Sequence, residues 1–394
     1  MAFKFAERMS GIKASEIREL LKLTQKPDII SFAGGLPAAE SFPVKEFSEV
    51  AQQVMAESGT KALQYGPTEG VDELRKEIAK RMAKVQVPAE FTDIMITSGS
   101  QQGLDFSAKL FIDPGDTVIC EAPSYLGALN AFKAYQPNFV EVETDDDGMR
   151  MDKLEEALKS TKNAKFIYVI PDFQNPTGRT LPLERRKRLV ELANRYDIVV
   201  VEDNPYGELR FEGEILPAIK HFDTEGRVVF LGTFSKILSP GVRLGWVCAS
   251  EEILSKYVMI KQGADLQSST ISQMETAKLL QSFDIEKHIQ KIIDLYSKRK
   301  NLMVETMKKE FPSNVSWTDP EGGLFLWVML PEGANARDIA VKALEQKVAY
   351  VPGGSFYPVG GHENCFRMNY SCMSEEKIVE GIQRLGKVLK EELK

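Results

Sequence analysis

The chain has 394 residues and a formal net charge of -7, and its composition is 43% hydrophobic and 27% charged. This length is too great for one compact core, so two lobes are expected, and the composition excludes a disordered or fibrous protein. An acidic balance gives no positive excess to neutralise a nucleic-acid backbone. With three histidines and four scattered cysteines, the chain lacks the residues for a zinc site, a Ser-His-Asp triad or a disulfide framework.

The amino-terminal segment has no apolar signal core, and no later run is apolar for long enough to cross a bilayer. We therefore expect no membrane association and a cytoplasmic location. Residues 15–20 have the pattern of a helix. The segment 1–46 is expected to pack with the smaller lobe.

The middle of the chain alternates short apolar runs with amphipathic segments, which is typical of a mostly parallel sheet covered by helices. A helix is predicted over residues 72–85, where Leu74, Ile78 and Met82 recur at intervals of four. Several strand-like runs are apolar throughout, which indicates burial on both faces of the sheet. The seven predicted strands are residues 94–97, 117–122, 138–143, 165–171, 198–203, 227–233 and 244–250.

The strand pattern stops after residue 250, and a long helical region is predicted from residue 272 to about 310. Strand-like runs return at residues 324–330 and 366–370, and Ser374 opens a final helix. The sequence thus predicts an α/β protein with a seven-stranded sheet. Its predicted divisions are an amino-terminal segment 1–46, a large domain 47–290 and a small α+β domain 291–394.

Polar residues follow five of the predicted strands at the points where the strands end. Because ligands of an open parallel sheet bind beyond the carboxyl ends of its strands, these residues are expected to face one crevice. They are residues 98–102, Ser124, Tyr125, Asn175, Thr177, Asp203, Tyr206, Ser235 and Lys236.

Two features of this crevice indicate a phosphate site. The turn at residues 98–101 leads into a predicted helix, whose first N–H groups can bind an anion, although such a turn can also be an ordinary helix cap. Arg243 follows Ser235 and Lys236 closely and could grip a phosphate through two parallel hydrogen bonds.

Lys236 directly follows an apolar strand, where its charge is costly unless it is paired, neutralised or covalently used. A lone lysine in a loop is more simply a surface residue. A pyridine ring used as an electron sink, however, needs both a carboxylate near its nitrogen and a lysine that attaches it. Asp203 and Lys236 provide this combination.

An ordered set of motifs resembles the class I/II aminotransferases of the fold-type-I pyridoxal-phosphate enzymes, and it covers essentially the whole chain. These motifs are SGSQ at 98–101, NPTG at 175–178, DNPY at 203–206, SK at 235–236, PGVRLG at 240–245 and Arg367. Residues 32–37, 63–66, 234–241 and 321–327 are similar to the 2-aminoadipate and kynurenine aminotransferase branch.

The resemblance implies that Lys236 attaches pyridoxal phosphate and moves a proton during the reaction, while Asp203 pairs with the ring nitrogen. The remaining cofactor contacts that it implies are Tyr206 and Asn175 to the ring hydroxyl, Tyr125 to the ring face, and Ser100, Gln101, Ser235 and Arg243 to the phosphate. Tyr65 is implied to reach the phosphate of a neighbouring subunit. A homodimer with shared active sites is therefore expected.

The resemblance also implies substrate contacts. Arg367 would bind the α-carboxylate, with Asn175 beside it, and Gly35 would let the backbone approach closely. Arg18 would meet a distal carboxylate, or it would be an exposed helix residue paired with a glutamate. The implied reaction is a ping-pong transfer from an L-amino acid, such as 2-aminoadipate, glutamate or an aromatic or branched-chain amino acid, to a 2-oxo acid such as 2-oxoglutarate.

Two other functions are compatible with the same motifs. A lyase or decarboxylase could use the same fold, since only geometry and proton placement decide which bond at the α-carbon breaks. A regulatory domain of the kind found behind DNA-binding winged helices is the third hypothesis. The short stretch before residue 32 and the acidic charge argue against it.

Overall fold

The computed structural model describes residues 3–12 and 28–394. The strands are β1 Ile30–Ser31, β2 Ile94–Thr97, β3 Thr117–Ala122, β4 Asn138–Asp145, β5 Gly148–Met149, β6 Ala164–Val169, β7 Val199–Asp203, β8 Val228–Thr233, β9 Gly245–Cys248, β10 Ser316–Trp317, β11 Phe325–Met329, β12 Val348–Ala349, β13 Val351–Pro352 and β14 Cys365–Asn369. The helices are α1 Val44–Ala62, α2 Asp72–Met82, α3 Ser100–Phe111, α4 Leu126–Lys133, α5 Met151–Ser160, α6 Leu183–Arg195, α7 Glu251–Ala264, α8 Thr270–Ser282, α9 Ile285–Glu310, α10 Ala336–Glu345 and α11 Glu375–Glu392.

The large sheet has the order β2-β9-β8-β7-β6-β3-β4-β5. Strands β4, β3, β6, β7 and β8 run parallel, and β9 is antiparallel to both of its neighbours. All seven predicted strands form. The predicted strand number is corrected to eight, because β4 pairs with the two-residue strand β5 across the turn before Gly148. A strand so short leaves no alternating pattern in the sequence.

Side chains of the central strands supply hydrophobic cores on both faces of this sheet, because successive residues of a strand point to opposite sides. In β6, Phe166 and Tyr168 join the larger core, whereas Ile167 joins a second core with Val200 of β7. Every residue of β8 is buried. The sheet is therefore a rigid platform whose strand ends are held in fixed positions.

The smaller lobe contains an antiparallel sheet of order β10-β11-β14-β13. Strand β1 of the amino-terminal segment pairs with β12, with Ile30 opposite Val348. The predicted helical region from residue 272 is two helices, since α8 ends at Ser282 and Asp284 caps α9 by accepting a hydrogen bond from the Lys287 N–H at 3.0 Å. The predicted domain boundary at residue 290 falls within α9. None of the helices in residues 3–12 and 28–394 is long and apolar enough to span a membrane.

Candidate active site

A cavity of about 380 Å³ lies beyond the carboxyl ends of the parallel strands, between the two sheets. The residues that line it are Gly35, Leu36, Ser100, Gln101, Tyr125, Ile170, Asn175, Asp203, Pro205, Tyr206, Thr233, Ser235, Lys236, Pro240, Arg243, Phe325 and Arg367. Strand ends and their following loops supply most of them, as expected for a parallel sheet.

Asp203, the last residue of β7, lies on the cavity wall and is 2% exposed. Its Oδ2 accepts a hydrogen bond from the Tyr168 hydroxyl at 3.0 Å, while its Oδ1 has no hydrogen-bond partner within the described residues. Burial raises the pKa of this carboxyl to about 7. A cationic N–H donor placed in the cavity would satisfy Oδ1 and favour the carboxylate, because opposite charge and hydrogen bonding both stabilise the ionised form.

Lys236 follows β8 and reaches into the cavity, where its Nζ donates a hydrogen bond to the Gly35 carbonyl at 2.8 Å. Burial, followed by the nearby charges of Arg367 and Arg243, lowers the pKa of this amine to about 8. A minority of the amine, far larger than for an ordinary lysine, is therefore neutral near physiological pH. A neutral amine is the form that acts as a nucleophile or as a proton acceptor.

Arg367, in the middle of β14, is 2% exposed and projects towards the same space. Its Nη1 donates to Asn175 Oδ1 at 2.8 Å, and its Nη2 donates to the Ala33 carbonyl at 2.7 Å. The guanidinium lies over the Phe325 ring, 4.1 Å from its centroid, which stabilises the cation without using any N–H group. Tyr206 completes this wall, with its hydroxyl 3.5 Å from Asn175 Nδ2.

The guanidinium of Arg367 retains unused donors that could bind an anion. Of its five N–H groups, the two described bonds occupy two, and Nε has no partner in the described part of the chain. Burial lowers the pKa of Arg367 to about 10, which still leaves it charged at neutral pH. A buried cation with no carboxylate partner among the described residues is costly, so an anionic ligand would stabilise it.

A second anion-binding feature lies at the start of α3. Gly99 caps this helix with φ of +81°, and a Cβ there would lie 2.6 Å from the Arg243 guanidinium. Only glycine therefore allows the turn and the arginine to approach each other. Ser100 and Gln101, whose N–H groups open α3 before the first intrahelical hydrogen bond, line the cavity together with Ser235 and Arg243.

The aromatic residue Tyr125 forms part of the opposite wall, immediately before α4. Burial raises the pKa of its phenol, and the nearby Asp203 adds to the shift, so it is a neutral hydroxyl. Gln101 is fixed by the hydrogen bond from its Nε2 to the Gly127 carbonyl at 2.9 Å.

The structure brings together eleven of the predicted site residues in this cavity. They are Gly35, Ser100, Gln101, Tyr125, Asn175, Asp203, Tyr206, Ser235, Lys236, Arg243 and Arg367. Tyr65 does not line the cavity of its own chain and is 79% exposed. Arg18 lies outside the described residues.

Sequence reasoning missed Tyr168 and Phe325. Tyr168 lies inside β6, where its position in an apolar run suggested a core residue rather than a partner of Asp203. Phe325 lies in the strand that pairs with β14, next to Arg367 in space but 42 positions away in the sequence. Alternation along β6 could have placed Tyr168 on one face of the sheet, but only the strand order shows that Asp203 lies beside it.

A sequence model of the family described as aminotransferase class I and II matches residues 27–385. The chain belongs to this family. The aminotransferase is 49% identical over 395 residues to aromatic-amino-acid aminotransferase 1 of Thermococcus litoralis. The alignment covers 99% of this chain and 95% of that protein.

Two solved structures of relatives contain forms of the cofactor. Pyrococcus horikoshii kynurenine aminotransferase, solved with PMP, matches the aminotransferase with a TM-score of 0.95 and 44% identity over 99% of this chain and 98% of that one. The α-aminoadipate aminotransferase of Thermus thermophilus, complexed with N-(5'-phosphopyridoxyl)-L-leucine, matches with a TM-score of 0.93 and 42% identity over 99% and 98% of the two chains. The predicted family, fold type, cofactor class and amino-group transfer are confirmed, and the lyase alternative is not favoured.

The residues of the aminotransferase fit pyridoxal phosphate. Asp203 Oδ1 lacks a partner that a protonated ring nitrogen could supply, and Lys236 offers an amine of lowered pKa to the aldehyde. The glycine turn and Arg243 approach each other closely, and Arg243 and the start of α3, which line the cavity, could bind the phosphate. These three features are complementary to the ring nitrogen, the aldehyde and the phosphate of the cofactor.

Proposed function

We propose that the eleven cavity residues form the active site and that the aminotransferase acts on amino acids with apolar or extended side chains, with a 2-oxo acid as acceptor. The observation that carries this proposal is the convergence of Lys236, Asp203 and Arg367 on one cavity. Asp203 and Arg367 are buried and Lys236 is partly buried, and each has a role that the other two cannot supply. Bound pyridoxal phosphate supplies an aldehyde that captures the amino group and a ring that withdraws electrons from the substrate α-carbon.

Lys236 is the proton carrier in this proposal. Its lowered pKa means that the neutral amine could accept a proton from the substrate α-carbon and deliver it to the cofactor carbon that carried the aldehyde oxygen. Asp203 holds a proton on the ring nitrogen through its unpartnered Oδ1, and the Tyr168 hydroxyl orients the carboxylate by its hydrogen bond to Oδ2. Such orientation by a neighbouring group limits reorganisation during the reaction.

Asn175 and Tyr206 would place their polar groups near the ring hydroxyl, and Tyr125 would cover one face of the ring. The phosphate would lie against the start of α3, held by Ser100, Gln101, Ser235 and Arg243. The presence of both Asp203 and the α3 turn in the lining of one cavity supports these positions. The cofactor would thus be held at both ends, which fixes the ring for reaction.

The substrate would bind with its α-carboxylate on the free N–H groups of Arg367, beside Asn175. Gly35 contributes a carbonyl and little bulk at this point, and a Cβ there would lie 3.2 Å from the Phe325 ring. Leu36, which is 55% exposed, and Phe325 offer apolar surface to the substrate side chain. The donors proposed are therefore aromatic, branched-chain and long-chain amino acids, with 2-aminoadipate and glutamate dependent on an additional cation such as Arg18.

A homodimer with shared active sites is part of the proposal. The exposed Tyr65, which would reach the phosphate of a partner subunit, supports it. Leu63, on the same turn, is 71% exposed and would be covered by the same contact. A cytoplasmic location is proposed from the sequence alone.

Initial rates with a panel of amino acids and 2-oxoglutarate test the proposal. Phenylalanine, leucine, 2-aminoadipate and glutamate should be compared at equal cofactor saturation, and the Lys236→Ala variant should be inactive with all of them. Turnover by Lys236→Ala at the wild-type rate would refute the assignment of the amine. Wild-type activity confined to small amino acids such as alanine would refute the proposed donor class.

A further inference from the structure

Helix α7 and the loop after it carry an ion pair directly behind the anion-binding turn. The side chain of Lys261 is 0% exposed, and its Nζ lies 2.9 Å and 3.1 Å from the two carboxylate oxygens of Asp265. The same ammonium donates to Gln102 Oε1 at 2.8 Å. None of these three residues lines the cavity, so a direct contact with a ligand does not explain them.

The ion pair and Gln102 together hold Ser98, the first residue of the turn. Asp265 Oδ2 accepts hydrogen bonds from the Ser98 hydroxyl at 3.2 Å and from Gln102 Nε2 at 2.8 Å. Gln102 Oε1 accepts the Ser98 backbone N–H at 2.9 Å. On the other side, the Ser98 carbonyl accepts a hydrogen bond from the Arg243 Nη2 at 3.3 Å. The N–H, the hydroxyl and the carbonyl of Ser98 thus all bond to other protein groups, so Ser98 positions the turn and does not itself bind a ligand.

The order of these contacts connects the buried ammonium of Lys261 and the partly exposed carboxylate of Asp265 to the anion-binding groups. Lys261 and Asp265 hold Gln102 and Ser98 by hydrogen bonds. Ser98 in turn holds the side chain of Arg243, and it precedes Gly99, the residue that caps α3. Burial lowers the pKa of Lys261, and the carboxylate of Asp265 opposes that shift and keeps the ammonium paired. A hydrogen-bond network of this kind makes its side chains rigid when every polar group in it has a partner.

We infer that Lys261 and Asp265 are positioning residues that set the affinity of the active site for the phosphate group of the cofactor without touching it. The inference rests on the proposed role of the α3 turn and Arg243 in phosphate binding. Loss of the pair should loosen the turn and separate Arg243 from the N–H groups. The effect should be confined to ligands with a phosphate, because the aldehyde is captured at Lys236 on a different wall.

The test compares three ligands with the purified apoprotein: pyridoxal phosphate, pyridoxal, which lacks the phosphate, and inorganic phosphate. Asp265→Asn should raise the Kd for pyridoxal phosphate and for inorganic phosphate about ten-fold, which corresponds to one charge-assisted hydrogen bond. The Kd for pyridoxal should change less than about two-fold, since no phosphate contact is made. Glu380→Gln is the matched control, because it removes an i,i+4 ion pair with Arg384 on the distant helix α11. It should leave all three constants unchanged.

The outcomes separate this inference from a general structural effect. Equal weakening of pyridoxal and pyridoxal phosphate would overturn it, as would unchanged binding of pyridoxal phosphate. If Asp265→Asn does not fold, Ser98→Ala removes the hydroxyl bound by Asp265 and should shift the same two constants in the same direction. Wild-type apoprotein that binds pyridoxal as tightly as pyridoxal phosphate would instead refute the phosphate role of the turn itself.

Discussion

Replacement of Arg367 by lysine tests how the active site recognises the substrate. Arginine is held by Asn175 and the Ala33 carbonyl and keeps three N–H groups for an incoming carboxylate. Lysine keeps the charge but cannot offer two parallel hydrogen bonds in one plane. Loss of one hydrogen bond to a charged group costs about 1.5–3 kcal/mol, so kcat/KM for amino acids should fall roughly 10- to 150-fold.

The assay pairs each amino acid with its amine analogue, for example phenylalanine with phenethylamine, which has no carboxylate. Half-reaction rates of the wild-type aminotransferase should strongly favour the amino acid, and Arg367→Lys should reduce this preference while leaving the slow amine reaction unchanged. Arg81→Lys, which alters a buried arginine that pairs with Glu208 outside the cavity, is the control for lost stability. If Arg367→Lys retains the wild-type preference, Arg367 does not bind the α-carboxylate.

Three further outcomes are expected. Asp203→Asn should keep the cofactor bound but slow removal of the α-proton by several orders of magnitude, because an amide does not hold a proton on the ring nitrogen. Stopped-flow traces with unchanged half-reaction rates would contradict this role of Asp203. The rate at which apoprotein captures pyridoxal should rise with pH with a midpoint near 8, since burial lowers the pKa of Lys236 and only its neutral amine attacks; a midpoint near 10.5 would show an unperturbed lysine. Arg18→Ala should lower kcat/KM for glutamate and 2-aminoadipate by about 10- to 100-fold, which is the range for a hydrogen bond to a charged group. The value of kcat/KM for leucine should not change, and an equal fall for all substrates would exclude Arg18 as a ligand.

The residues at strand ends could be predicted because two local rules place them. Apolar runs identified the strands of the large sheet, and parallel strands present their carboxyl ends at one edge. Asp203 ends such a run, and Lys236 and Asn175 lie in the loops that follow two others, so their shared location needed no knowledge of the strand order. Arg367 is different, since it lies in the middle of β14 in the smaller lobe, and it was predicted only from the family resemblance.

Contacts between distant segments could not be predicted from the sequence. The partner of Asp203, Tyr168, depends on which strands are neighbours, and the contact of Lys261 with Gln102 depends on how α7 packs behind α3. The break between α8 and α9 was also missed, although the capping residue Asp284 is visible in the sequence.

The central claim is that Lys236 attaches the cofactor in the cavity between the two sheets. Reduction of the holoprotein with borohydride, followed by proteolysis and peptide mass spectrometry, tests it most directly, because reduction fixes the cofactor to the residue that holds it. We predict a single phosphopyridoxyl group, on the peptide that contains Lys236. A modified lysine elsewhere in the chain, or an unmodified Lys236 in protein that had bound the cofactor, would contradict the account.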